Sequence, residues 1–296
     1  MQLDIFADSR DVMLRNDVLE AVQRYDAQLA SHTLAALTQA YPDDRTLSRL
    51  QVLVDALVRR ASEPLIDCEA VSEMHRQYLA EVEPAAMSFL GNRKGHEWMA
   101  RLWSAVGDRA LKLPFRADKP DAHAAPLYLL AGRWDKARDA VATIDSWRRV
   151  PAPLMWMAEA GYRVEGLEGL DTAWPLICEL AWLSPARFDA LLHRLNDPAL
   201  LKLRKTFGAS FDLSDESNEL ASLSWFPAWL LTQKAGLASV LRQCQCSTSK
   251  APERGLILML KLLLLEREGR HWEVLESRRE LQVLHSGLYA LYMQTR

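Results

Sequence analysis

The residues of this chain that could do chemistry unaided are seven histidines, four cysteines and a few acidic pairs. His32, His75, His96, His123, His193, His271 and His285 are scattered, and no two share a helix face at ligand spacing. His96 stands beside Glu97, but neighbouring residues on a helix point apart, so they make a poor acid/base pair. Cys244-x-Cys246 offers two thiolates that could share a zinc ion. No second pair completes a tetrahedral set, which reads as incidental thiols. Asp43-Asp44 and Asp215-Glu216 fall in turn-like stretches, where acids cap helices. A phosphate-binding glycine loop, G-x-G-x-x-G, G-x-S-x-G and H-E-x-x-H are all missing from the sequence. The expectation is a non-enzymatic protein with no catalytic, cofactor-binding or metal-ligating residues.

Charge points the same way. Lys+Arg number 36 against 39 Asp+Glu, a net of -3, which provides no global field for a polyanion. The basic clusters Arg59-Arg60, Arg93-Lys94, Arg148-Arg149, Lys202 to Lys205 and Arg278-Arg279 are short and read as solvated helix surfaces or dipole-favoured last turns. Direct nucleic-acid binding is therefore not expected. The longest apolar run, Gly255 to Gly269, is broken by Lys261 and is shorter than the ~18–20 residues a membrane span needs. It predicts a buried helix. The first twenty residues mix charges throughout and show no secretory signal, and the four cysteines form no disulfide framework, so the expectation is a cytoplasmic protein away from membranes.

Ten tryptophans carry more information. Trp134, Trp156, Trp174 and Trp182 fall on predicted helices and are expected to fill the layer between them. Trp225, Phe226 and Trp229 flank a proline that should disturb a helix, and a bent aromatic segment could line a groove gripping a partner peptide. Core packing is the competing reading. Trp225, Phe226 and Trp229, followed by Trp134, are the candidate partner-binding residues.

The elements that must position these side chains are helices. Apolar residues recur at i, i+3, i+4 and i+7, as in Val18, Leu19, Val22 and Leu29 or Leu47, Leu50, Val54 and Leu57, while strict alternation is almost absent. Ser184-Pro185 and Asp197-Pro198 each combine a capping oxygen with a proline suited to a first helical position. Breaks are expected at 113–126, 207–217 and 246–252. Within this pattern Ala30, Leu34, Leu37 and Pro42 share their spacing with Ala173, Ile177, Leu180 and Pro185, and Ala137, Val141 and Ile144 share most of it. Tyr128 and Gly132, then Tyr162 and Gly166, stand four residues upstream to downstream in two of these stretches.

These residues resemble the tetratricopeptide repeat (TPR), a helix–turn–helix unit of ~34 residues. In "LYLLAGRWDKARDAV", Tyr128 sits late on a first helix, Gly132 in the turn, Trp134 and Asp135 open the second helix, and Ala137 allows close helix approach. Units fall at roughly 11–44, 118–151, 152–187 and 255–288. Tyr25 replaces the turn glycine, two extra residues lengthen "EGLEGLD", and Val274 replaces an alanine. Regions 45–117 and 188–254 match no unit. The resemblance implies an all-α, TPR-like solenoid of antiparallel helix pairs, a superhelix with degenerate repeats. It would run as one array over 9–296 with a subdivision near 113–126, holding another protein in a concave groove.

The N-terminal apolar segment 1–8 contains Gln2-Leu3-Asp4-Ile5-Phe6. It is similar to the pentapeptide by which bacterial replication and repair proteins dock on the DNA polymerase sliding clamp, with Ile5 in place of leucine. That similarity implies an alternative function, a replication or repair accessory protein. In the plainer reading, Leu3 and Phe6 staple back on Val12 and Met13 and Asp8 or Ser9 caps the first helix.

Overall fold

The computed structural model describes residues 7–61, 67–166, 170–210 and 222–296, and every regular element among them is helical. Two compact units part at residue 140, later than the stretch 113–126 where the sequence suggests a subdivision.

Unit 1 comprises residues 1–140. Its helices are α1 (Ala7–Gln23), α2 (Ala27–Ala40), α3 (Leu47–Ala61), α4 (Cys68–Gln77), α5 (Glu83–Leu90), α6 (Asn92–Ala110), α7 (Ala124–Leu130) and the greater part of α8 (Trp134–Ala142). A π-helical turn, Tyr78–Val82, joins α4 to α5. Neighbours pack on one another: α1 on α2, α2 on α3, α5 on α6 and α6 on α7. Val18, Val22, Leu50, Val54 and Leu57 are buried, so most of the i, i+3, i+4 stripe is the core face, as amphipathic spacing requires, but Leu29 lies on the next helix and is 42% exposed. Asp8 and Ser9 lie within α1 itself, so neither precedes it as a cap.

Unit 2, residues 141–296, contains α9 (Pro151–Glu165), α10 (Leu170–Leu183), α11 (Pro185–Leu195), α12 (Pro198–Ser210), α13 (Phe226–Gln233), a single turn at Ala238–Leu241, α14 (Ala251–Arg267), α15 (His271–Leu284) and α16 (Ser286–Gln294). The helices α9 and α10, α10 and α11, α13 and α14, α14 and α15, and α15 and α16 are packed neighbours. The two Xaa-Pro starts fall where expected, but differ in chemistry. Asp197 accepts hydrogen bonds from the N–H groups of Ala199 (2.8 Å) and Leu200 (3.0 Å), whereas the Ser184 side chain makes no capping bond.

One chain reversal recurs in three places, at Tyr25, Gly132 and Gly269, whose φ are 60°, 65° and 68°. Gly166 also has a positive φ, 67°, but its ψ of -166° and the bond from its N–H to the Tyr162 carbonyl (2.7 Å) end α9 in a different way. At each of the three the N–H three positions past the last helical residue bonds back five residues: Asp26 to the Ala21 carbonyl (3.0 Å), Arg133 to Tyr128 (2.8 Å) and Arg270 to Leu265 (3.0 Å). The preceding N–H bonds back three: Tyr25 to Val22, Gly132 to Leu129 and Gly269 to Glu266. That pair of bonds satisfies the orphan carbonyls at a helix end and requires a left-handed residue at the turn. Beyond the turns, Ala30, Ala137 and Ala173 have no accessible surface and Val274 is 6% exposed, consistent with close helix contact at each.

Candidate functional site

Tyr25 occupies a left-handed turn position where glycine would be unstrained and a bulky aromatic is uncommon. Its ring stacks on Trp98 at 6.0 Å between centroids and 19° between planes. Two hydrogen bonds brace the pair: the Tyr25 hydroxyl donates to the Trp98 carbonyl (3.1 Å), and the Trp98 indole N–H donates to the Val22 carbonyl (2.9 Å) on the helix before Tyr25. Burial, opposed by the charges of Arg101 and Arg60, pushes the Tyr25 phenol up to about 12, so it remains a donor at neutral pH. The guanidinium carbons of Arg60 and Arg101 each lie 5.0 Å from the centre of the Tyr25 ring, within cation–π range.

Those two arginines open onto a basin of about 250 Å³, completed by Arg133 from the α7–α8 turn and by Ser104 and Asp108 on α6. A smaller hollow of about 160 Å³ shares Arg101 and adds Lys94 and Glu97. Asp108 is engaged, receiving Lys136 Nζ at 2.7 Å and the Tyr128 hydroxyl at 2.8 Å. Burial alone would raise its carboxyl, but those bonds outweigh it and hold the group below the usual carboxylate range.

Unit 2 contains a cavity of about 470 Å³ lined by Arg148, Glu179, Trp182, Cys246 and Glu253, among others. Its principal acid and base consume each other. Arg148 donates through Nε to Glu179 Oε2 (2.7 Å) and through Nη2 to Oε1 (2.5 Å), a bidentate pair, while the Gln245 N–H also reaches Oε1 (2.7 Å). The Ser247 N–H similarly donates to Glu253. Burial pushes the Cys246 thiol up to about 11 and raises those of Cys244 and Cys178 as well, so none is a thiolate at neutral pH. Among the described residues no group of three His, Cys, Asp or Glu side chains is placed to hold a metal ion.

The aromatic segment of unit 2 differs from the sequence expectation. Pro227 lies in the first turn of α13, where a missing N–H costs little, so it starts a helix and does not bend one. Phe226 and Trp229 have no accessible surface. Phe226 lies 5.0 Å from Phe188 and 5.7 Å from Phe207, and Trp229 lies 5.3 Å from Phe207, all centroid to centroid. Side chains without accessible surface offer nothing to a partner, so both serve here as core. Trp225 is half-buried, 4.4 Å from the His285 ring and so close to Gly255 that a Cβ there would meet its Cζ3 at 2.7 Å. Trp134 is half-buried next to Arg133. Gln2, Leu3, Asp4, Ile5 and Phe6 lie outside the described residues, and their proposed staple partners Val12 and Met13 are 46% and 62% exposed.

Sequence reasoning missed the Tyr25–Trp98 platform. A signal did exist in the tyrosine at a turn-glycine position and in the adjacent pair Arg59-Arg60. Nothing local, however, joined either to Arg101 or Arg133. No family model, curated protein or solved structure matches the chain.

Proposed function

We propose that the chain is a non-enzymatic, TPR-like helical-repeat scaffold that holds another protein, with its recognition surface in unit 1. The observation that carries this reading is the recurring left-handed reversal at Tyr25, Gly132 and Gly269, each followed by a buried small or apolar residue on the next helix. Helix pairs built on one turn chemistry are the building units of interaction scaffolds. The warrant from fold to function is analogy. The Tyr25 platform adds a site-level argument, because rigid aromatics and arginines are the residue types that dominate binding energy at protein interfaces.

The test compares partner capture by the tagged full chain with Arg101→Glu and Trp134→Ala variants that keep the helical circular dichroism signal. The captured protein is identified by mass spectrometry and its binding is remeasured with purified components. Both variants are expected to bind it at least tenfold more weakly, and unchanged binding would reject unit 1 as the recognition surface. A chain lacking residues 1–8 is expected to keep the same partner. Capture of the sliding clamp, lost on that truncation, would instead assign the protein to DNA metabolism through Gln2 to Phe6.

A further inference from the structure

The basin on α6 poses an electrostatic problem. Arg60, Arg101 and Arg133 come from three different elements, the end of α3, the middle of α6 and the α7–α8 turn, and converge on one concavity. Among the described residues none of the three meets a carboxylate within ion-pair distance; Arg60 and Arg101 lie over the π face of Tyr25, and Arg133 acts on Asp108 through its charge without an ion-pair contact. Two acids stand nearby. Asp108 is already held by Lys136 and Tyr128, and Glu97, one turn before Arg101, pairs with neither Arg101 nor Lys94. Each of the two guanidinium carbons is 5.0 Å from the same ring centre, so they are at most about 10 Å apart, and their like charges repel at that range. The platform that holds them there also sets a bulky residue in a strained backbone conformation.

We propose that this basin binds a phosphomonoester dianion. Three guanidinium forks present planar pairs of N–H donors, and a phosphate monoester offers two negative charges and three acceptor oxygens to meet them. A single carboxylate brings one negative charge against three positive ones and so offsets less of their mutual repulsion than a dianion does. The volume, about 250 Å³, falls below the roughly 300–1,000 Å³ of sites that enclose a drug-sized ligand. It suits a phosphate group presented by a larger molecule. The inference concerns the basin alone, and a free phosphate ester would satisfy it without any protein partner.

Calorimetric titration of the full chain at constant ionic strength tests it, with inorganic phosphate, a phosphoserine peptide, the same peptide unphosphorylated, and acetate as probes. Binding of inorganic phosphate and phosphopeptide is expected, with acetate and the unphosphorylated peptide at least tenfold weaker. Arg133→Ala should weaken binding about tenfold and Arg101→Ala/Arg133→Ala further, since a hydrogen bond to a charged group is worth about one such factor. An Arg242→Ala variant, altered on the surface of unit 2, should bind as the parent does. Thermal melts of each variant separate lost binding from lost folding. Tighter binding of the phosphopeptide than of inorganic phosphate places the group on a protein; the reverse places it on a small ester, and both sustain the proposal. Equal response to phosphate and acetate, or retention of phosphate binding in the folded double variant, overturns it.

Discussion

In unit 2, Phe188, Phe207, Phe226 and Trp229 form a ring cluster without accessible surface, whereas in unit 1 the half-buried Tyr25 stacks on Trp98 and turns its π face to two guanidinium groups. Two sets of arginines contrast in the same way, although unit 1 also has paired arginines such as Arg15 with Asp44. Unit 2 matches Arg148 to Glu179, Arg194 to Glu159 and Arg204 to Asp189, with Glu159 and Glu179 buried. Unit 1 gathers Arg60, Arg101 and Arg133 around a basin where, among the described residues, none of the three lies within ion-pair distance of a carboxylate, although Asp108 lines the same basin and feels the charge of Arg133. Residue type is thus a poor guide to use. An aromatic or an arginine in a closed, paired setting stabilises the fold, and the same side chain facing a hollow is the one we propose for binding.

The sharpest way to break this contrast is at its closed end. Trp229→Ala is expected to destabilise the protein by about 3–5 kcal/mol in urea unfolding, the cost of deleting a buried large aromatic. A loss under about 1 kcal/mol would mean that the cluster is not a packed core. A second effect belongs to unit 1. His123 is 6% exposed, caps α7 by accepting the Ala125 N–H through Nδ1, and has its pKa lowered from 6.5 to about 4 by burial. Below pH 6.5 the unfolded chain therefore takes up a proton that the folded chain refuses until about pH 4. Stability is full above pH 6.5 and falls across that window, by up to about 3 kcal/mol. His75 and His285, lowered mainly by burial, add in the same direction. Urea midpoints measured from pH 7.5 to 4 should show a shallower fall in His123→Asn, which keeps a capping oxygen without the titration; an unchanged slope would exclude His123 as its source. The smallest effect is the most informative about the platform. Tyr25→Gly should shift stability by less than about 1 kcal/mol, since relief of left-handed strain offsets the lost ring contacts. It should nonetheless weaken phosphate binding, because Arg60 and Arg101 lose the ring that orders them. Isothermal titration beside a urea curve checks both halves.

Much of the architecture was legible locally. The helix starts at Pro185 and Pro198, the turns at Gly132, Gly166 and Gly269 and the buried Ala30, Ala137 and Ala173 all follow from short-range rules of backbone geometry and steric fit. Even Tyr25, noted as a departure from the turn glycine, adopts the left-handed conformation that position demands. Pro227 was misread because a proline breaks a helix only from its interior, and the sequence does not show where the helix begins. The basin was not legible at all. Tyr25 and the Trp98 carbonyl are 73 residues apart along the chain, and Arg133 comes from a turn beyond both, so only tertiary packing brings these charges together.

The most direct test of the contrast between the units is one set of urea unfolding curves comparing Arg148→Ala with Arg101→Ala/Arg133→Ala. Removing Arg148 strands the buried Glu179 carboxylate and should cost about 3 kcal/mol. Removing the two basin arginines should change stability by no more than about 0.5 kcal/mol. If the basin pair costs as much as Arg148, those arginines hold the fold together, and the account of unit 1 as the face that binds is contradicted.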